Sequence, residues 1–201
     1  MGAPMALELV YEPGQTPLDL DEAAQLIPRH IVTQGQLNEW EQVNIQRALP
    51  WARRAARART RTLTEDFCRE LHRRMFDQTW KWAGTFRTSD KNIGCDWRQV
   101  PLRLRQLLDN TQYQLDHGTN PLDETAARFH HALVLIHVFP NGNGRHAREM
   151  ANCLLREHGA EPFTWGRGSL VHAGELRARY LLALQAADRG DFAALFQFVR
   201  S

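Results

Sequence analysis

The stretch AARFHHALVLIHVFPNGNGRHAR, residues 126–148, decides how this chain is read. Its first half, Ala126 to His137, is apolar almost all round, which suits a helix at the centre of a bundle. Pro140 to Gly144 interrupt the helical period, and a second helix is expected over Arg145 to His158. Gly142, Asn143 and Gly144 put small or left-handed-tolerant residues where that helix begins, so the backbone can turn sharply and aim N–H groups outward. The helix dipole adds partial positive charge at the same point, and Arg145 and Arg148 in the first turn add two full charges. Cations there oppose the dipole by about 0.3–1 kcal/mol each at exposed sites, so an anion is the expected counterpart. The planar guanidinium fork suits phosphate oxygens. His137 ends the preceding helix facing the same loop, where an imidazole can take a proton from an attacking hydroxyl near neutral pH. Taken singly, a histidine at a helix end is more often structural, and Gly-Asn-Gly more often a plain turn. Together they point to a phosphate-binding loop with a base beside it.

Outward from this loop the pattern is helical. Pro4, Pro13, Gly14 and Pro17 make residues 1–20 an extended arm. A short helix is expected over Glu22 to Ile27, stopping at Pro28, and a longer one from about Gln34 through Leu37, Trp40, Ile45 and Leu49, with a kink at Pro50. Thr62-Leu-Thr-Glu65 has capping-box spacing before Phe67, Leu71 and Met75. From Trp82 the character changes: Gly84, Thr85, Phe86, Thr88, Ile93, Gly94 and Trp97 suit strands and a turn, and a β-hairpin is expected over 85–97. Helices return at Leu102 to Leu115, ending near Gly118, after Pro121, and near Val171 to Ala187 and Phe192 to Arg200. The expected organisation is an arm over 1–20, N-terminal helices over 21–60, and a mainly α core over 61–201.

At 201 residues with 43% hydrophobic content the chain can bury one core, and its net charge of +2 predicts no polyanion partner. No apolar run of membrane-spanning length and no secretory leader is evident, so a cytoplasmic protein without a membrane partner is expected. Cys68, Cys95 and Cys153 are odd in number and lack metal-ligand spacing, and read as packing residues in a reducing compartment. Arg53, Arg54, Arg57, Arg59 and Arg61 could contact nucleic acid, but they repeat at helical spacing and no base-reading motif accompanies them, so a solvated face is the better reading. His130, His131 and His137 suggest a metal hydrolase only weakly, because no His-Glu-x-x-His pattern accompanies them.

His137, Phe139, Gly142, Asn143, Gly144, Arg145 and Arg148 together resemble the signature of the Fic (Fic/DOC) family, His-x-Phe-x-Asp/Glu-Gly-Asn-Gly-Arg-x-x-Arg. The likeness extends to Trp82-Ala-Gly-Thr-Phe-Arg87 and to Tyr180-Leu-Leu-Ala-Leu-Gln-Ala-Ala-Asp-Arg-Gly-Asp191. The segments Ile27-Pro-Arg-His30 and Asn38-Glu-Trp-Glu-Gln42 are similar to the subfamily called mobile mystery protein B, associated with mobile elements and a helix-turn-helix companion. The resemblance implies a helical bundle with a hairpin flap, and transfer of AMP from ATP, with Mg²⁺, to a Ser, Thr or Tyr hydroxyl of a protein substrate. In that family pattern His137 is the general base, Asn143 with the Gly142 and Gly144 amides holds the α-phosphate, Arg145 the β-phosphate and Arg148 the γ-phosphate. The flap, here Thr88, Ser89, Asp90, Lys91, Asn92, Ile93 and Gly94, pins the target segment by strand addition.

Asn141 stands where the family pattern has Asp or Glu for the metal; an amide oxygen can ligate Mg²⁺ but brings no charge. The alternatives are therefore a Fic-fold transferase using another phosphate donor, or a binding protein of a mobile-element or toxin–antitoxin-like pair. Family members also carry an inhibitory helix whose Glu pairs with the second motif Arg. Glu39 and Glu41 are the candidates to meet Arg148, although the flanking residues depart from the family's inhibitory pattern.

Overall fold

The computed structural model describes residues 16–58, 61–167 and 173–201. The chain is mainly helical: α1 (Leu20–Ala23), α2 (Gln34–Arg57), α3 (Glu65–Phe76), α4 (Val100–His117), α5 (Leu122–Ile136), α6 (Asn143–Glu157), α7 (Ala173–Asp188) and α8 (Ala193–Arg200). Of the expected arm, residues 1–15 lie outside the described residues, as do Arg59 of the arginine cluster and Val171 at the expected start of α7.

α5 is the central element. Thr125, Ala126, Ala127, Phe129, His130, His131, Leu133 and Ile136 are all buried on it, as a helix apolar almost all round requires. α4, α6 and α8 pack around it, α2 and α3 lie against α6, and α7 packs on α8. Thr33 caps α2, its hydroxyl accepting from Gln36 N while Gln36 Oε1 accepts from Thr33 N at 3.2 Å. α2 continues through the exposed Pro50, with Ala48, Ala52 and Ala56 buried on either side of it. Arg53, Arg54 and Arg57 point to solvent from the opposite face.

Two local expectations are corrected. The cap of α3 is Thr64, whose hydroxyl accepts from Phe67 N at 3.2 Å, and not Thr62. Thr62 instead gives its N–H to Glu157 at 3.0 Å, a contact across the fold that local spacing cannot reveal. The hairpin over 85–97 does not form. The segment is a bent loop, and the bridge recorded between described residues joins Leu26 and Trp80 elsewhere. The carbonyls of Ser89 and Cys95, which a ladder would have paired, are taken by the buried Arg87 guanidinium.

Four histidines sit in this core with depressed pKa values, chiefly through burial: His72 well below the usual range, His130 and His137 at about 3, and His146 at about 4. Unfolding lets each take a proton near pH 6.5, so their contribution is intact above that pH and is lost as pH falls toward the folded values. Urea titrations between pH 7 and pH 4.5 should show stability falling below pH 6.5 by about 1.4 kcal/mol per pH unit for each such histidine. A flat profile would contradict their burial as neutral rings.

Candidate functional site

The turn from α5 to α6 is fixed by two left-handed residues. His137 ends α5 at φ 54° and Gly142 starts α6 at φ 78°. A Cβ on Gly142 would lie 2.6 Å from the Phe76 ring, so glycine is required there for space as well as for φ. Between them Asn143 closes the loop on itself: its Oδ1 accepts from Phe139 N at 2.9 Å and its Nδ2 donates to Phe139 O at 2.7 Å. The side chain expected on an α-phosphate is therefore committed to the backbone. What the loop offers a ligand is its main-chain N–H groups, since Asn143, Gly144 and Arg145 occupy the first turn, where no intrahelical acceptor exists.

Below the loop is a residue that the sequence reading passed over. His72 accepts from Gly84 N on Nδ1 at 3.0 Å, which leaves Nε2–H to donate to Asn141 O at 3.1 Å. Its ring stacks on Phe139 with centroids 3.7 Å apart. Asn141 itself is drawn inward, Oδ1 accepting from Gly142 N at 2.6 Å and Nδ2 donating to Thr16 O at 3.0 Å.

Arg87, to which the sequence assigned no role of its own, fastens residues 88–95 to the end of α5. Its guanidinium is buried and donates to His137 O at 2.5 Å, Ser89 O at 2.8 Å, Ile136 O at 3.3 Å and Cys95 O. A cation among the last carbonyls of a helix also satisfies its dipole. Gly94 is pressed against this contact, since a Cβ there would lie 2.8 Å from both Arg87 Nη2 and His137 Cβ. Of the expected flap, Thr88, Asp90, Asn92, Ile93 and Gly94 are exposed, Ser89 is half-buried, and the Lys91 side chain is 2% exposed against Asp19 and Glu22.

His137, 4% exposed, has neither ring nitrogen hydrogen-bonded. Burial, then the Arg87 and Lys91 charges, lowers its pKa to about 3, so the ring is a neutral base at physiological pH. It lines a cavity of about 530 Å³ together with Asn141, Gly142, Asn143, Gly144, Arg145 and Arg148. Arg145 Nη1 pairs with Glu41 Oε2 at 2.7 Å, and Glu41, 4% exposed, also accepts from Trp80 Nε1 at 2.7 Å. Arg148 lies over the Tyr180 ring, and burial together with Arg145, Arg167 and Arg177 makes its charged form costly. The glutamate of α2 thus meets the first motif arginine and not Arg148, while Glu39 is exposed on the same helix. The other histidines are engaged elsewhere, His130 with the Tyr180 hydroxyl at 3.0 Å and His131 with Asp188 at 2.8 Å. Among the described residues no three His, Cys, Asp or Glu converge as a metal cluster, and no helix is long and apolar enough to cross a membrane.

A helical bundle with a glycine-started helix, two arginines on one cavity and a buried neutral imidazole has the chemistry to hold an anion beside a proton acceptor. Residues 62–155 match the Fic/DOC family, and this part of the chain is a Fic domain. The chain is 33% identical over 134 residues to the protein adenylyltransferase fic-1 of Caenorhabditis briggsae, covering 65% of this chain and 25% of that protein. It spans about a quarter of the length of the curated relatives it matches. Its structure is similar to Fic-1 (residues 134–508) of Caenorhabditis elegans, with TM-score 0.66 and 26% identity over 80% of this chain and 47% of that one. The fold is also that of BepC of Bartonella tribocorum, solved with bound AMPPNP, with TM-score 0.60 and 18% identity over 83% and 85% of the two chains.

Substituting Gly142→Ala should destabilise the protein by about 1–3 kcal/mol, since it combines a left-handed backbone with a clash on Phe76. Thermal melting measures this, and an unchanged midpoint would contradict the geometry.

Proposed function

We propose that the chain is a protein adenylyltransferase, moving AMP from ATP to a Ser, Thr or Tyr hydroxyl of a target protein. One observation carries the reading: a buried imidazole with both nitrogens unpartnered shares a cavity with first-turn helix amides and with Arg145 and Arg148. In this reading the α-phosphate sits on the amides after Gly142, Arg145 meets the β-phosphate and Arg148 the γ-phosphate. His137 takes the hydroxyl proton as the oxygen attacks the α-phosphorus and pyrophosphate leaves. Preorganised donors do most of the work in such transfers. The Fic-1 relatives named as adenylyltransferases support the reaction class, and AMPPNP in BepC supports the donor.

The Mg²⁺ implied by the family resemblance would meet Asn141 Oδ1, a neutral oxygen that already accepts from Gly142, and so would be held mainly through the nucleotide's own phosphates. Such an ion supplies charge neutralisation for the leaving pyrophosphate. Glu41 acts as a brake, because its carboxylate occupies Arg145, the cation assigned to the β-phosphate. The likeness of Ile27 to His30 and Asn38 to Gln42 to mobile mystery protein B extends the proposal to a cytoplasmic protein of a mobile element, with a helix-turn-helix companion.

The expected outcomes are distinct. With ATP and a cell lysate as target source, His137→Ala should lose adenylyl transfer and keep nucleotide binding, measured by mass spectrometry and by titration. Transfer that survives the substitution would remove His137 as the base. Glu41→Gly should raise the rate at least severalfold and tighten ATP binding, whereas Glu39→Gly should change neither. Equal rates in the wild type and Glu41→Gly would remove the brake. Asn141→Asp should lower the Mg²⁺ concentration needed for half-maximal transfer, and an unchanged requirement would remove Asn141 from the ion's surroundings.

A further inference from the structure

The segment from Thr16 to Glu22 is tied to the site by contacts that the transfer reaction itself does not require. Lys91 Nζ lies between Asp19 Oδ2 at 2.8 Å and Glu22 Oε2 at 2.6 Å, and the Ser89 hydroxyl also donates to Asp19. Trp82 Nε1 donates to Glu22 O at 3.2 Å. At the other end of the segment, Asn141 Nδ2 holds Thr16 O at 3.0 Å. The segment thus bridges residues 88–95 and the loop before α6. An ammonium 2% exposed would be an uncompensated buried charge without these two carboxylates, so the Lys91 position is built to receive an acidic stretch.

Thr16 is 6% exposed, and it lines the same cavity as His137 and the first turn of α6. Among the described residues the cavity lining holds one other hydroxyl, that of Tyr180, which is engaged with His130 Nε2 at 3.0 Å. His137 has two buried ring nitrogens and no hydrogen-bond partner, which is the state of a base awaiting a hydroxyl. The geometry points to Thr16 as an adenylyl acceptor in cis, presented to the site by the grip of Lys91 on Asp19 and Glu22. This rests on the transfer activity proposed above. Thr16 Oγ1 attacks the α-phosphorus of ATP and forms the phosphoester bond. The bond from the α-phosphorus to the bridging oxygen breaks, pyrophosphate leaves with the electron pair, and the hydroxyl proton passes to His137.

The test uses the full 201-residue chain, as wild type and as Glu41→Gly, incubated with ATP and Mg²⁺ and then digested for peptide mass spectrometry. The expected result is an adenylyl adduct on the peptide containing Thr16, at a rate per molecule independent of protein concentration. Thr16→Ser should keep the adduct and Thr16→Val should lose it. Lys91→Ala should slow it by about tenfold through loss of positioning, with thermal melting followed in parallel to show a retained fold. Adducts on other residues of this chain or on lysate proteins, with Thr16 bare, would overturn the assignment of Thr16 and leave adenylyl transfer standing. No adduct on any protein in either background would overturn both. A Thr16 adduct formed at an undiminished rate in folded Lys91→Ala would overturn the role of the Lys91 grip.

Discussion

The pair of hydrogen bonds between the Asn143 carboxamide and the backbone of Phe139 is the constraint on which the site depends. It closes a short loop between two buried helices and sets where α6 begins. Everything chemically useful follows from that start point: the direction of the first-turn amides, the entry of Arg145 and Arg148 into the cavity, and the distance of both from His137. The lock is itself supported, since Phe139 is fully buried under the His72 ring and Gly142 rests on Phe76. Helix α3 therefore acts as the floor of the site, although none of its residues lines the cavity.

The electrostatics of the cavity are those of a site prepared for an anion. Arg148 is brought in beside other guanidiniums at a desolvation cost, and Arg145 is paired with Glu41. Glu41 is held by Trp80, which stacks on Trp82, so the carboxylate is anchored by the core and does not simply follow the arginine. Removing it should leave the half-buried Arg145 guanidinium without its carboxylate, free to meet a phosphate. The same surroundings keep His137 neutral: Arg87 and Lys91 add to burial in disfavouring its protonated form. Positive charge thus favours an anion in the cavity and a neutral imidazole beside it.

Much of this was legible in the sequence where the signal is local. The apolar Ala126 to His137, the break at Pro140 to Gly144 and the arginines after it placed α5, the loop and α6 within a residue or two. Side chains with a choice of partner were not legible. Asn141 and Asn143 could face a ligand or the backbone, and the fold turns both to the backbone. Glu41 was recognised as a candidate, but which arginine it meets depends on how α2 lies across α6. The β-like composition of 85–97 misled for a related reason: Arg87, inside the segment itself, is buried and takes the carbonyls that a hairpin would have paired. His72 and Thr16 carry no local signature, and only tertiary packing brings them to the loop.

The proposed chemistry requires this cavity to bind a nucleotide through its phosphates at the start of α6. A crystal structure of Glu41→Gly with a non-hydrolysable ATP analogue tests it most directly. The α-phosphate should lie on the amides following Gly142, with Arg145 and Arg148 on the β- and γ-phosphates and His137 facing the α-phosphorus. Phosphates bound away from that helix start, or a cavity left without nucleotide at saturating analogue, would contradict it.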